Sequence, residues 1–288
     1  ICLIKEQKEA DKLAEYKSTL TNDELEELVK KTKELKEYQD TPSSQEDLEK
    51  IPMLELSDIK REPAKDYNDV KSVDGIKIVH HNIFTNKIAY INMSFDTKCV
   101  PDELIPYMGL LGSTLSLMDT KNYTYPELTN EININCGGLA TGTALYSDKV
   151  DFSKNTIVYE VKSKALYEKV PFVLGMMEEI MYNTRFDDYK RLKEIIARIK
   201  SRLEASLMGQ GHSIAMLECC AQFSESAYYS DILRGYKYYE FIKKLDEEFE
   251  QNKTQIVDKL NKLVGYIFNK DNVIVSLTAD DEGYDCFV

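Results

Sequence analysis

The stretch "TYPELTNEININCGGLATGTALY", Thr124 to Tyr146, changes its pattern half-way along. Thr124 and Glu127 stand at the spacing of a capping box, in which a hydroxyl and a carboxylate each satisfy a backbone N–H left free at a helix start. Gly137-Gly138 then stops the helix. Leu139–Tyr146 reads as a strand, and Thr156–Lys162 as a second one. Helix and strand therefore alternate inside one packed unit.

Working outward gives the rest of the body. Ile76–Phe84 and Ile88–Phe95 are rich in β-branched and aromatic residues, and Thr85-Asn86-Lys87 between them reads as the turn of a β-hairpin. Pro101 opens a helix with Leu104, Ile105, Met108, Leu111 and Leu115 on one face. Downstream, Leu166, Val170, Val173, Met177 and Ile180 form one helical stripe, and Leu192, Ile195, Ile196, Ile199 and Leu203 form the next. Gly209-Gln210-Gly211 interrupts the pattern before helix resumes to about Phe223. Tyr238–Phe249 and Thr254–Phe268 are two more helices, and Val273–Thr278 is a last strand. The order ββ-αα-ββ-αααα-β predicts an α+β fold with a mixed β-sheet layered with helices.

The first 55 residues read differently. Two charged helical stretches occupy residues 2–39, the second opened by a capping box at Thr21 and Glu24. Leu25, Leu28, Thr32 and Leu35 give it only a narrow apolar stripe. Ser43-Ser44-Gln45-Glu46 reads as another capping box, starting a short helix that must end before Pro52, which holds Ile51 extended. Such an arm has too little apolar surface for a core of its own and reads as a helical hairpin linker over 1–55 ahead of a body at 56–288. The chain opens at Ile1 inside a helical pattern, and is expected to be a piece of a longer protein.

A net charge of −13, from 37 basic and 50 acidic residues, disfavours a nucleic-acid groove, which needs excess Lys and Arg to neutralise phosphates. The 6 cysteines (Cys2, Cys99, Cys136, Cys219, Cys220 and Cys286) show no Cys-x-x-Cys pair, and Cys219-Cys220 lie in an apolar helical run. That usage favours a reducing intracellular compartment over a secreted disulfide framework. No run of about 18 apolar residues marks a membrane span.

Catalytic chemistry is sparse. The 3 histidines are His80, His81 and His212. Neighbours on a strand point to opposite faces, so His80 and His81 cannot share a metal. His212 follows Gly211 at a helix start, where capping or solvent contact explains it. No zinc-peptidase histidine motif, nucleophile elbow or phosphate loop is present. Asp187-Asp188 precedes the longest helix, where carboxylates cap free N–H groups. The tyrosine-dense run Ala227–Phe241 fits rings packed between helices, or a surface for peptides.

Several blocks together resemble one family: "YQDTPSSQEDLEKIPMLELSDI", "TKNYTYPELTNEININCGG", "NTRFDDYKRLKEIIARIKSRLEASLMGQGHSIA" and "RGYKYYEFIKKLD". They resemble the second half of the presequence-type metallopeptidases, the single-chain branch of the pitrilysin/insulinase family, in the right order over essentially the whole chain. The resemblance implies four homologous α+β domains in two halves, joined by a helical hairpin and closing around a peptide. Residues 1–55 would be the later part of that hairpin and 56–288 the third, non-catalytic domain. Zinc would be bound by an inverted His-x-x-Glu-His motif in the first domain. This chain therefore carries over no catalytic residue and no metal ligand, and is expected to be inactive alone. The family's fourth domain, whose Arg and Tyr reach the substrate, would begin after Val288.

The implied partners are the N-terminal catalytic half of the same chain and unstructured peptides such as targeting peptides; nucleic acid and membrane are not expected. The implied role is that of a non-catalytic part of a zinc metalloendopeptidase, with a catalytically inactive structural subunit as the alternative. In the family's first domain a strand edge pairs with the bound peptide. Gly138, Leu139, Thr141, Gly142, Thr143 and Tyr146 occupy the corresponding place here and are the candidate chamber residues. A plain scaffold strand, its glycines easing packing, is the competing reading.

Overall fold

In the computed structural model, which describes residues 2–62, 68–151 and 154–288 and side chains from residue 10 onward, the body has six strands. They are β1 (Asp69–Val73), β2 (Ile76–Asn82), β3 (Ile88–Asp96), β4 (Leu139–Ser147), β5 (Asn155–Leu166) and β6 (Val273–Ala279). They form one mixed sheet in the order β1-β2-β6-β3-β5-β4. The α+β assignment with a mixed sheet stands.

The hairpin read between Ile76 and Phe95 does not form. β6 lies between β2 and β3, parallel to the first (Ile78 opposite Val275) and antiparallel to the second (Ile91 opposite Leu277). The connecting loop takes left-handed φ angles at Asn86 (52°) and Lys87 (63°). It crosses two strand spacings, about 10 Å, rather than one. The strand that fills the gap comes from the far end of the chain, and no local signal announces that. A hairpin does exist one step earlier. Asp74 and Gly75, with φ of 49° and 85°, make the two-residue turn that joins β1 to β2.

Alternation along the strands sorts the two faces. Ile78, Ile91, Phe95, Tyr159, Val161, Val275 and Leu277 are buried on one face. On the other, Tyr90, Lys162 and Lys164 are exposed, and Asn92 and Ser94 are only half-buried. An antiparallel-dominated sheet with one covered and one polar face follows from that pattern.

Three helices precede the body: α1 (Cys2–Thr19), α2 (Asn22–Asp40) and α3 (Gln45–Glu49). The body's helices are α4 (Ile105–Thr114), α5 (Tyr125–Asn135), α6 (Val170–Asn183), α7 (Tyr189–Gly209), α8 (Gly211–Cys220), α9 (Glu225–Arg234), α10 (Tyr236–Glu247), α11 (Phe249–Ile267) and α12 (Asp281–Phe287). They supply the other side of the core. Met108 and Leu111 of α4, Val173, Met177 and Ile180 of α6, Leu192 and Ile196 of α7, and Leu260 and Leu263 of α11 are fully buried. Each such side chain contributes roughly 1.5–3 kcal/mol of transfer free energy. The Asp188 carboxylate accepts the Arg191 N–H at 3.0 Å and caps α7. Leu203, read as the end of the α7 stripe, is only half-buried, because the helix there borders a cleft.

By compactness the chain divides into residues 1–64 and 65–288. In the first unit Thr21 and Glu24 form the expected capping box. The short helix α3 starts one residue later than its sequence signal: Ser44, not Ser43, is the cap, accepting the Asp47 N–H at 3.2 Å. Nothing in α2 is buried. Leu28 and Leu35 remain 51% and 55% exposed, so the narrow stripe finds no full cover within its own unit.

Candidate functional site

β4 is an edge strand. It pairs with β5 along its whole length, Leu139 opposite Ser163 through Ser147 opposite Asn155, and no described strand pairs with its other side. The sequence that puts it there is local. Cys136 leaves α5 in extended conformation, Gly138 takes a φ of 109° that side chains rarely adopt, and the chain turns into the strand. The Gly137 N–H then donates to the Lys164 carbonyl at 2.8 Å, and the Ser163 hydroxyl donates to the Gly138 carbonyl at 2.8 Å, fixing the register.

The six candidate residues share this segment but not one face of it. Leu139, Thr141 and Thr143 point to the helix side, where the Thr141 hydroxyl donates to the Gly112 carbonyl of α4 at 3.1 Å. Gly112 packs closely there: a Cβ would sit 3.1 Å from Gly142 Cα and 3.3 Å from the Thr141 oxygen. Gly142 itself faces open space, since a Cβ on it would meet nothing within 4 Å. Tyr146 lies on the polar face, 52% exposed. Its hydroxyl donates to Glu160 Oε1 at 2.9 Å, and the accepting carboxylate pushes the tyrosine pKa up.

Glu160 organises that polar face. It is 5% exposed and accepts from Asn92 Nδ2 at 2.9 Å, Tyr146 and Lys162 Nζ, the last at 2.6 Å. Burial alone would push its pKa up, but the hydrogen bonds from Lys162, Asn92 and Tyr146 outweigh burial and hold it below the ordinary carboxylate range.

On the helix side β4 borders a cleft of about 530 Å³. Gly109, Gly112 and Ser113 of α4, Thr141 to Thr143 of β4, Arg198 and Arg202 of α7, Arg234 of α9 and Tyr238 of α10 contribute to its walls. Sequence reading did not single out Arg198 or Arg202, and reached Arg234 and Tyr238 only as members of the tyrosine-dense run Ala227–Phe241. The available signal was the spacing of Arg198 and Arg202, one helical turn apart on α7. Of the tyrosine-dense run, Tyr238 is buried between helices while Tyr228 and Tyr236 are 44% and 39% exposed.

The histidines do not suit a zinc site. His80 is buried. Its Nε2–H donates to the Ala279 carbonyl at 3.0 Å and its Nδ1 accepts from Lys71 Nζ at 3.3 Å. His81, on the opposite face, donates from Nδ1 to Asn68 Oδ1 at 2.6 Å and accepts at Nε2 from Ser276 at 3.1 Å. Neither ring offers a lone pair to a metal, and His212 is exposed at the start of α8. Among the described residues no three His, Cys, Asp or Glu side chains converge. Cys219, read as a small hydrophobe in an apolar run, is in fact exposed, and Cys220 half-buried. Among the described residues no helix is long and apolar enough to cross a membrane.

A family model for the region associated with peptidases of family M16, subfamily C, matches residues 4–245. The chain belongs to this family. It is 37% identical over 287 residues to Protein HypA of Clostridium perfringens, a match that covers 99% of the chain and 29% of that protein. It is 29% identical to presequence protease 1, chloroplastic/mitochondrial, of Arabidopsis thaliana, over 96% of the chain and 25% of the relative. It is 27% identical to the mitochondrial presequence protease of Yarrowia lipolytica, over 92% and 27%. The chain thus spans well under a third of the length of these relatives. The resemblance carried by the four sequence blocks is borne out.

Proposed function

We propose that this chain is a non-catalytic part of a zinc metalloendopeptidase, and that it helps to enclose unstructured peptides, targeting peptides among them, in a closing chamber. Residues 1–55 act as the later part of the hairpin that joins two halves, and residues 56–288 as the third domain. Zinc belongs to a catalytic half elsewhere in the same longer chain, because no donor set among the described residues fits it. β4 is the strand along which the substrate lies. The observation that carries this reading is its free edge, with Gly142 leaving the backbone open on the side away from α4. An extended peptide added to that edge exchanges backbone hydrogen bonds worth about 0.5–1.5 kcal/mol each, independent of its sequence. A binder of varied peptides needs that tolerance. The relatives' name, presequence protease, accords with such substrates.

The test uses the full-length enzyme. Gly142→Pro removes a backbone donor and stiffens the edge, so hydrolysis of long peptides should fall more than that of short ones, with folding intact. Equal loss on both, or none, refutes a guiding role for β4. A chelator should abolish hydrolysis by the wild-type enzyme. The inactive structural subunit predicts instead no peptidase activity to abolish, and no inverted zinc motif upstream.

A further inference from the structure

Only 6 arginines occur in the chain, and three of them, Arg198, Arg202 and Arg234, line one cleft beside β4. None of the residues lining it is acidic, although acidic residues outnumber basic ones by 50 to 37 overall. Arg198 and Arg202 are exposed and form no ion pair among the described residues, while Arg234 makes one long contact, 3.4 Å, to the Ser230 hydroxyl. Unpaired guanidinium groups around an acid-free concavity focus a positive potential into it.

An independent feature points the same way. Tyr238 is 4% exposed, and its hydroxyl has no partner at hydrogen-bonding geometry. A buried hydroxyl without a partner costs about 1–3 kcal/mol, which a ligand that supplies the bond would recover. Its hydroxyl-bearing end abuts Gly109, where a Cβ would lie 2.8 Å from Tyr238 Cε2. Its nearest polar side chain is the Ser113 hydroxyl, which itself donates to the Gly109 carbonyl at 3.3 Å. The cleft therefore gathers charged donors, a waiting hydroxyl and room for a ligand fragment.

We propose that the cleft is a carboxylate-binding subsite, in which Arg198, Arg202 and Arg234 with the Tyr238 hydroxyl hold a carboxylate of an extended peptide lying along β4. The carboxylate is the C-terminal group or an acidic side chain. Guanidinium suits it because its planar fork donates two parallel N–H bonds to the two oxygens. This subsite rests on the reading of β4 as the peptide strand. It adds selectivity: an acidic protein that attracts cationic peptides at long range anchors them at short range by their negative end.

The experiment measures binding of labelled unstructured peptides to this chain by fluorescence anisotropy at low salt. One peptide has a free C-terminal carboxylate and no acidic side chain, a second is its amidated twin, and a third is the amidated twin with one internal Glu. Expected is about tenfold tighter binding of the first or third peptide over the amidated twin, the scale of a hydrogen-bonded charge. That preference should vanish in R198Q/R202Q, both exposed positions whose exchange leaves the fold's melting transition in place. Tyr238→Phe should reduce the preference while leaving binding of the amidated twin unchanged. If all three peptides bind equally, the subsite is wrong and β4 still stands as a peptide edge. If none binds, the reading of β4 fails and the subsite falls with it. Arginine-dependent binding of inorganic phosphate without discrimination among the peptides would mark a free-anion site and overturn the proposal.

Discussion

Exchange of Glu160 for Gln tests whether the polar face of the sheet beside β4 is built around a buried carboxylate. Glu160 is 5% exposed. It receives three donors: Asn92 Nδ2 and Tyr146 Oη at 2.9 Å each, and Lys162 Nζ at 2.6 Å. A hydrogen bond to a charged group contributes roughly 1.5–3 kcal/mol. Tyr146 and Lys162 are about half exposed, so solvent discounts their shares. Glutamine can keep its oxygen for Asn92 and Tyr146, which share Oε1, but then turns its NH2 toward Lys162, which bonds Oε2. The expected net loss is about 2 kcal/mol at neutral pH, a fall in Tm of about 4–8 °C for a body of this size.

The pH dependence fixes the cause. The Glu160 pKa is lowered in the folded chain from an ordinary value of 4.5. A depressed carboxylate stabilises the fold fully above its unfolded pKa, and that contribution is lost as pH falls through the folded value. The gap between wild type and Glu160→Gln, measured by urea denaturation, should therefore be constant from neutral pH down to about 5 and close in stronger acid. A gap under about 0.5 kcal/mol at pH 7, or one that persists unchanged into acid, would refute the assignment.

Three further outcomes follow from the packing. Gly112→Ala should destabilise by about 1–2 kcal/mol, because its Cβ presses on backbone atoms of β4 that cannot rotate aside. Gly265→Ala, in α11 with nothing within 4 Å, should instead stabilise by up to about 1 kcal/mol, and chemical denaturation compares the two. Hydrogen exchange in α2, which buries no residue, should be far faster than in α7 around Leu192–Ile199; equal protection would mean that the arm is held by packing that its exposed stripe does not show.

Features that depend on neighbours along the chain could be read from residue order. Capping boxes at Thr21 and Thr124, the glycine stop at Gly137-Gly138, the strand after it and most of the stripes of α6 and α7 are signalled within a few residues and are found; Leu166, read into the α6 stripe, instead ends β5 and is 50% exposed. The one-residue error at Ser44 is of the same local kind, two adjacent serines competing for one cap. β1 was legible too, through Asp74-Gly75, but its short exposed run gave little alternation to notice. Opposite faces for His80 and His81 followed from the period of a strand alone.

Which strands are neighbours was settled by long-range packing instead. β6 pairs with β2 and β3 across nearly the whole length of the body, because its Val275 and Leu277 complete the buried face between Ile78 and Ile91. Strand pairing is specified by complementary burial of distant segments, and no local spacing encodes it. The same holds for the cleft. Arg198 and Arg202 lie on α7, Arg234 ends α9, and Tyr238 sits on α10, each ordinary in its own helix. They share one concavity where the glycines Gly109 and Gly112 bring α4 close to Tyr238 and β4: a Cβ would lie 2.8 Å from Tyr238 Cε2 at the first and 3.1 Å from Gly142 Cα at the second.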